Sequence, residues 1–238
     1  MNISDRQLQE IETIYSETKI FFGGFKNNFL TKPNALNGKL GFCILYSPPI
    51  SDAEIMVIGQ QPSSFGLFDE IMMDGNIPKI NSYTEHEYPF AKKLTDIFDN
   101  QSDKQSLLKN CIGLNIWFYQ KKNNFNLSDV EEKKIKDFCQ NKTKEIIKIL
   151  KPKTIFVVGI GVFNRLIVGR EVKQKIHTIK SIKKNKKKQT YFAEGLLWNE
   201  IPIFGCPQFA AEGYYKKGGG FHEGVSMCIE KINDILRN

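Results

Sequence analysis

Cysteine and histidine are scarce in this sequence, and neither residue forms a metal-binding pattern. The five cysteines lie far apart with no C-x-x-C pair, and the three histidines form neither an H-x-H nor an H-E-x-x-H motif. These spacings fit neither a structural zinc site nor an iron–sulfur cluster. We therefore expect no metal and no cofactor, and we expect reduced, mostly buried thiols.

Long apolar stretches are also absent. No run approaches the roughly 18–20 residues that a membrane span needs. The N-terminal stretch, MNISDRQLQEIETIY, has no apolar core of the signal-peptide kind. With 18 glycines and 9 prolines, the composition excludes collagen-like and low-complexity chains. We expect a cytoplasmic protein that is monomeric and has no membrane partner.

Basic residues outnumber acidic ones, and the excess is concentrated in one segment. The net charge is +8, and Glu171–Lys188 alone holds eight lysines and one acid. A lysine cluster of this density suits a nucleic-acid backbone, whose phosphates attract cations irrespective of base sequence. The alternative is a solvated loop in a lysine-rich chain. The candidate DNA-binding lysines are Lys183, Lys184, Lys186, Lys187 and Lys188.

Two capping boxes mark the starts of helices. Ser4 with Gln7 predicts a helix that runs to about Lys19, and Ser128 with Glu131 predicts a second helix that ends at Leu150 before a proline. Helical spacing of apolar residues predicts three more helices, over Tyr88–Phe98, Val162–Val168 and His222–Leu236.

Short apolar runs between these helices are typical of buried strands. They cover Glu54–Ile58, Cys111–Ile116, Thr154–Val158 and Ile201–Phe204. Alternation of strands and helices predicts an α/β fold with a mostly parallel sheet that is covered on both faces. We expect one domain over 1–238, in which 1–40 forms a helix and an irregular segment. A basic insertion over 171–190, a loop or hairpin, precedes an extra strand at Tyr191–Trp198.

Polar residues and glycines follow each predicted strand. In parallel sheets ligands bind beyond the carboxyl ends of the strands, so these positions are the candidates for a site. The Gly-x-Gly turn at Gly159 lacks a third glycine and by itself indicates close packing more than a nucleotide site. The four strand ends read Gly59-Gln60-Gln61-Pro62-Ser63-Ser64-Phe65-Gly66, Asn110-Cys111-Ile112-Gly113-Leu114-Asn115, Val158-Gly159-Ile160-Gly161 and Cys206-Pro207-Gln208-Phe209.

In this order, the four strand ends resemble the motifs of the uracil-DNA glycosylase superfamily. The nearest pattern is its single-strand-selective monofunctional branch, with G-x-N-P-G-x-F-G, N-C-x-x-x-N, a V-G-x-G turn and a final H-P-S-P-like motif. The resemblance covers about three-quarters of the chain. It implies a three-layer α/β/α sandwich with a central four-stranded sheet, and a substrate of single-stranded or lesion-containing DNA.

The resemblance also implies roles for individual residues. Asn115 matches the amide that reads the base, since its carboxamide offers a donor and an acceptor to the O4/N3 edge of uracil. Gln61 occupies the water-positioning place, and Gln60 and Pro62 belong to the same base-binding turn. Cys206 stands where the family has a histidine that stabilises the departing base anion, and a neutral thiol is a poor donor.

Several residues are candidates for roles that the motifs leave open. The aromatic residue on which the family stacks the base is missing at its usual spacing, so Phe65 or Phe68 is the substitute. His222, or less favourably His86, is a candidate to replace the missing histidine. A thiolate nucleophile at Cys206 is a further hypothesis, although no histidine adjoins it in sequence.

The segment after Pro207 corresponds to the DNA-penetrating loop of the family. It places Tyr214 and Tyr215 beside Lys216 and Lys217, which suits stacking on bases together with contact to phosphate. A flexible surface turn whose tyrosines cover the sheet edge is the alternative.

Three functions are compatible with these features. The first is a glycosylase that flips out uracil or a related damaged base and hydrolyses its N-glycosidic bond. The second is a nucleic-acid-binding module of the same fold that lacks catalysis. The third is hydrolysis of a free nucleoside or nucleotide, for which a basic segment would be unnecessary.

Overall fold

The computed structural model describes residues 3–24, 42–62, 75–99, 105–119, 128–167, 175–180, 188–209 and 220–237. Its helices are α1 (Asp5–Gly23), α2 (Ser82–Glu85), α3 (Pro89–Asp99), α4 (Gln105–Lys109), α5 (Asp129–Leu150), α6 (Ile160–Leu166) and α7 (Gly220–Arg237). Its strands are β1 (Met56–Gly59), β2 (Ile112–Asn115), β3 (Ile155–Val158), β4 (Lys175–Lys180), β5 (Lys188–Leu197) and β6 (Ile201–Cys206).

The strands of the described residues form one sheet in the order β2-β1-β3-β6-β5-β4. The first four strands are parallel to one another, and β5 and β4 continue the sheet in antiparallel pairing. The prediction of an α/β fold with a mostly parallel sheet is therefore confirmed. The predicted number of four strands is too low, because β4 and β5 form a hairpin that pairs with the free edge of β6.

The four parallel strands are apolar because both faces of the sheet are buried. Along β1, Met56 and Ile58 face one core and Val57 faces the other, as the two-residue repeat of a strand requires. The first core lies beneath α1, α5 and α6, and the second lies beneath α3, α4 and α7. Continuous apolar runs, without the alternation of a half-exposed strand, are what such a doubly covered sheet needs.

Both capping boxes are present where the sequence predicts them. The hydroxyls of Ser4 and Ser128 accept hydrogen bonds from the backbone N–H groups of Gln7 and Glu131, respectively. In return, the side chains of Gln7 and Glu131 accept from the backbone N–H groups of Ser4 and Ser128. Because these bonds satisfy backbone groups that a helix start leaves open, the starts of α1 and α5 are predictable from local sequence. The short helices α2 and α4 have no such box and were not predicted.

The basic segment contains a hairpin within the described residues. β4 and β5 pair from Lys175 opposite Glu194 to Lys180 opposite Lys188, which selects the hairpin from the two predicted alternatives. The predicted extra strand at Tyr191–Trp198 is β5, and it begins three residues earlier.

The connections of the sheet create a crevice at its carboxyl edge. From β1 the chain crosses to β2 on one side, and from β2 it returns past β1 to β3 on the other. Connections that diverge in this way leave a gap beyond the carboxyl ends of the central strands, and ligands bind there in open α/β sheets. Among the described helices, none has the length and apolar character needed to cross a membrane.

Candidate functional site

A cleft of about 270 Å³ opens at the carboxyl edge of the sheet. Residues at or directly after the ends of β1, β2, β3 and β6 meet there, together with residues from two other parts of the chain. The lining residues are Tyr46, Gly59, Gln60, Gln61, Tyr83, Tyr88, Phe90, Asn115, Val158, Gln208 and Phe209.

Asn115, the last residue of β2, places a buried carboxamide in the cleft. It is 5% exposed, and its Nδ2 donates to the Tyr46 hydroxyl at 2.7 Å. Gly59 pairs with Asn115 in the sheet, and a Cβ at Gly59 would lie 2.6 Å from Asn115 Oδ1. The carboxamide therefore occupies space that exists because residue 59 has no side chain.

Aromatic rings in mutual contact form one wall of the cleft. The rings of Tyr46 and Tyr83 stack with their centroids 5.9 Å apart and their planes at 10°. The ring centroids of Tyr83 and Phe90 are 5.9 Å apart, and those of Phe90 and Phe209 are 5.1 Å apart. Gly113 makes room for the tyrosines, because a Cβ there would lie 2.6 Å from the Tyr83 ring and 2.7 Å from Tyr46 Cβ. The wall therefore presents largely apolar aromatic surface to a ligand.

Carboxamides surround the mouth of the cleft. Gln60 and Gln61 form the turn after β1, and the Gln208 side chain donates to Gln60 Oε1 from the opposite side. The turn is held against β2, since the carbonyls of Gly59 and Gln60 accept from the backbone N–H groups of the two residues after Asn115, both at 3.0 Å. The mouth therefore offers several neutral donors and acceptors on a braced backbone.

The side chains that line the described cleft are all uncharged. Burial is the largest cause that raises the pKa of Tyr46, Tyr83 and Tyr88 well above the usual range of a phenol. The hydrogen bond from Asn115 acts in the opposite direction on the pKa of Tyr46 but does not outweigh burial. The three phenols are therefore neutral hydrogen-bonding groups at physiological pH, and the cleft suits an uncharged ligand.

The raised tyrosine pKa values predict a loss of stability at high pH. Unfolded tyrosines lose their protons near pH 10, so above that pH the unfolded state binds fewer protons than the folded state, and the free energy of unfolding falls. We expect no such contribution below about pH 9. Tyrosinate absorbance should show that part of the eight tyrosines resists ionisation until the protein unfolds. Ionisation of all eight near pH 10 in the folded protein would contradict this prediction.

The structure brings together the residues of the first and second motifs. Gln60, Gln61 and Asn115 line the cleft, and Pro62 is buried directly beside them in the chain. Parallel strands end at the same edge of a sheet, so strand ends distant in sequence become neighbours in space.

Cys206 does not line the cleft, which corrects its expected place in the site. Its side chain is fully buried, and its thiol donates to the carbonyl of Pro207 at 3.4 Å. Cys206 and Phe204, two residues apart on β6, both face the core beneath α7. There, burial first and a hydrogen bond with Cys206 second raise the pKa of Cys228. The thiol thus belongs to the packing between sheet and helix.

The other predicted site residues are described only in part or lie outside the described ranges. His222 lies in the first turn of α7, but its side chain is not described, and Lys188 begins β5 with its side chain likewise not described. His86 follows α2 and does not line the cleft; its Nε2 is buried and has no hydrogen-bond partner in the described part of the chain. The residues that fall outside the described ranges are Phe65, Phe68, Lys183, Lys184, Lys186, Lys187, Tyr214, Tyr215, Lys216 and Lys217.

Several lining residues have no individual role predicted from the sequence. Gln208 and Phe209 belong to the fourth strand end, which predicts their position at the carboxyl edge but not a contact with the cleft. The aromatic residues Tyr46, Tyr83, Tyr88 and Phe90 lie on loops or near helix starts, where no periodicity marks them.

No protein-family model matches the chain, and no curated protein is significantly similar to it. Within the described ranges, no group of three or more histidine, cysteine, aspartate or glutamate side chains is arranged to hold a metal ion. The chemistry available in the cleft is that of carboxamides, phenols and aromatic rings.

Proposed function

We propose that the protein is a DNA glycosylase of the uracil-DNA glycosylase superfamily. In this proposal it flips out uracil, or a related damaged base, and hydrolyses its N-glycosidic bond. The observation that carries the proposal is the convergence of Gln60, Gln61 and Asn115, from two separate motifs, in one cleft at the carboxyl edge of the sheet.

The size and polarity of the cleft favour a single base. Its volume of about 270 Å³ lies below the roughly 300–1,000 Å³ of sites for drug-sized ligands. Phe90 and Phe209 offer aromatic surface for stacking, which contributes ~1–3 kcal/mol per base. The carboxamide of Asn115 can accept from N3–H and donate to O4 of uracil.

The proposed reaction consumes one water molecule and leaves the electron pair of the broken glycosidic bond on the base. The water oxygen bonds to C1′ of the deoxyribose while the C1′–N1 bond breaks, and the electron pair of that bond leaves with the base. The proton from the water goes to solvent, and the base anion takes a proton after departure. Gln61, exposed at the mouth, orients the water but as a neutral amide cannot accept its proton. Catalysis then rests on positioning and on donors to the departing base.

A single-stranded substrate fits this site better than a paired duplex. Extruding a base costs a few kcal/mol, and least where it is unpaired or mispaired. The lysines of the segment 181–187 and Lys188 are the proposed phosphate contacts, which makes binding sensitive to salt.

Base binding without hydrolysis is the second candidate function. It is supported by the uncharged lining of the described cleft and by the burial of Cys206 away from it. In that case Asn115 and the aromatic wall still select a base, but no group compensates the charge on the departing anion.

Single-turnover release of uracil tests the proposal. Excess protein is incubated with matched single- and double-stranded oligonucleotides that contain one uracil, and free base is measured. We expect release from the single strand to be faster, and Gln61→Ala to slow it about tenfold, the effect of one lost hydrogen bond to the water.

The same oligonucleotides distinguish the two candidates. Binding that is weakened by salt, without release of base, favours the non-catalytic function. If the protein neither binds the oligonucleotides nor releases base, both candidates are wrong.

A further inference from the structure

Two cationic side chains converge on Trp117, which lies two residues after Asn115 at the carboxyl edge of the sheet. Lys136 Nζ, from α5, lies 5.0 Å from the ring centroid of Trp117, and the guanidinium carbon of Arg165, from α6, lies 5.1 Å from it. The two charges are therefore at most about 10 Å apart, about one Debye length in 0.1 M salt. At this separation they repel each other, and both attract an anion that lies beside them.

The charge of Arg165 has no counterion in the described part of the chain. Lys136 forms an ion pair with Glu132, and the two side chains are 26% and 19% exposed. Arg165 is exposed and forms no ion pair with a described residue. Its contact with the Trp117 ring does not neutralise the guanidinium, whose planar fork of N–H groups matches the oxygens of a phosphate.

Backbone contacts join this cation pair to the cleft. The N–H of Trp117 donates to the carbonyl of Gln60 at 3.0 Å, and Gln60 lines the cleft. The side chain of Gln140, on α5, donates to the carbonyl of Arg165 and so links α6 to α5. The positive charge that the lining of the cleft lacks is therefore held beside the first motif.

We propose that Arg165, together with Lys136, binds one backbone phosphate of the strand whose base enters the cleft. This inference rests on the proposed base-binding function. A base in the cleft stays attached to its strand, so a phosphodiester group must lie close to the mouth, where a guanidinium can bind two of its oxygens. The contact is independent of base sequence and adds to those proposed for the segment 181–187 and Lys188.

Arg165→Gln tests the site, because it removes the charge and keeps a long polar side chain. Affinity for a single-stranded oligonucleotide with one uracil is measured over a range of salt concentrations. We expect the slope of log affinity against log salt concentration to become less steep by about 0.7, the contribution of one phosphate contact on a single strand. An unchanged slope would overturn the inference.

Lys148→Gln is the matched control, because it removes a cation from the other tryptophan. Lys148 Nζ lies 5.0 Å from the ring centroid of Trp198. Trp198 lies in the turn before β6, at the edge of the parallel strands opposite the cleft. Its slope should match that of the unmodified protein, and circular dichroism verifies that both variants are folded. Equal changes in the two variants would mean that Arg165 acts only through net charge, which contradicts a phosphate site.

A scan with uncharged phosphate analogues locates the contact. Each phosphate near the uracil is replaced in turn by a methylphosphonate, and affinity is measured for the unmodified protein and for Arg165→Gln. We expect one position beside the uracil at which the replacement weakens binding of the unmodified protein but causes no further loss in the variant, the signature of two coupled groups. Additive losses at every position would overturn the assignment.

The outcomes separate this inference from the proposed function. If the unmodified protein binds the oligonucleotide and Arg165→Gln leaves the salt slope and the scan unchanged, the inference is wrong and the proposed function stands. If the unmodified protein binds no oligonucleotide, the proposed function is wrong and the phosphate site is wrong with it.

Discussion

Replacing Asn115 by alanine is expected to slow uracil release about 100- to 1,000-fold, as the loss of a preorganised donor does in other enzymes. When the C1′–N1 bond breaks, negative charge spreads from N1 onto the carbonyl oxygens of the base. In the proposed reaction, the Nδ2–H of Asn115 that does not bind Tyr46 would stabilise the charge at O4. Because the side chain is buried, water cannot easily take over this role.

Gln208→Ala is the control for this experiment. It removes an exposed carboxamide from the mouth of the same cleft, and we expect less than a tenfold change, since solvent can replace an exposed hydrogen bond. Circular dichroism and thermal unfolding verify that both variants are folded. Equal losses in the two variants, or full activity of Asn115→Ala, would exclude Asn115 as the residue that reads the base.

Gly59→Ala is expected to slow uracil release about 100-fold, although it removes no functional group. The new Cβ would stand 2.6 Å from Asn115 Oδ1, so the carboxamide must move. Misplacement of a functional group by about 1 Å can cost on the order of 100-fold in rate. The added methyl group in a packed interior also lowers the free energy of unfolding by about 1–3 kcal/mol. Single-turnover release and urea unfolding measure the two effects.

Gly161→Ala is the matched control. Among the described residues, no heavy atom outside its chain neighbours and the backbone of its own helix α6 lies within 4 Å of the position of its added Cβ. Alanine is more favourable than glycine in a helix, so stability should rise by up to about 1 kcal/mol and uracil release should not change. Full activity of Gly59→Ala would show that the carboxamide position is not critical.

The two glycines illustrate what sequence motifs reveal and what they do not. Gly59 and Gly161 both belong to the family-like motifs, yet the structure gives the absent side chain a reason only at Gly59. Gly159 has φ +118, a conformation that favours glycine, and a Cβ there would meet Gln208 Cγ at 3.0 Å. A glycine in a motif therefore predicts a turn, but the neighbour that requires it is a tertiary contact.

The placement of Gln60, Gln61 and Asn115 was predictable because it depends mainly on the parallel direction of the strands that they end or follow. Once apolar runs and intervening helices predict parallel strands, their carboxyl ends must meet at one edge of the sheet. The place of Cys206 was not predictable in the same way. Its motif position put it at that edge, but its side chain faces the core beneath α7, and the orientation of the last residue of a strand depends on the register with its neighbours.

Local signals in the chain specify the capped helices α1 and α5, the apolar runs of the parallel strands, and the polar strand ends. Each of these is stabilised by contacts between residues close in the chain or by burial of a continuous apolar run. The aromatic wall, the Tyr46–Asn115 bond and the continuation of the sheet by the β4–β5 hairpin depend on long-range contacts. These features join residues far apart in sequence through loops, where neither periodicity nor propensity specifies which side chains will meet.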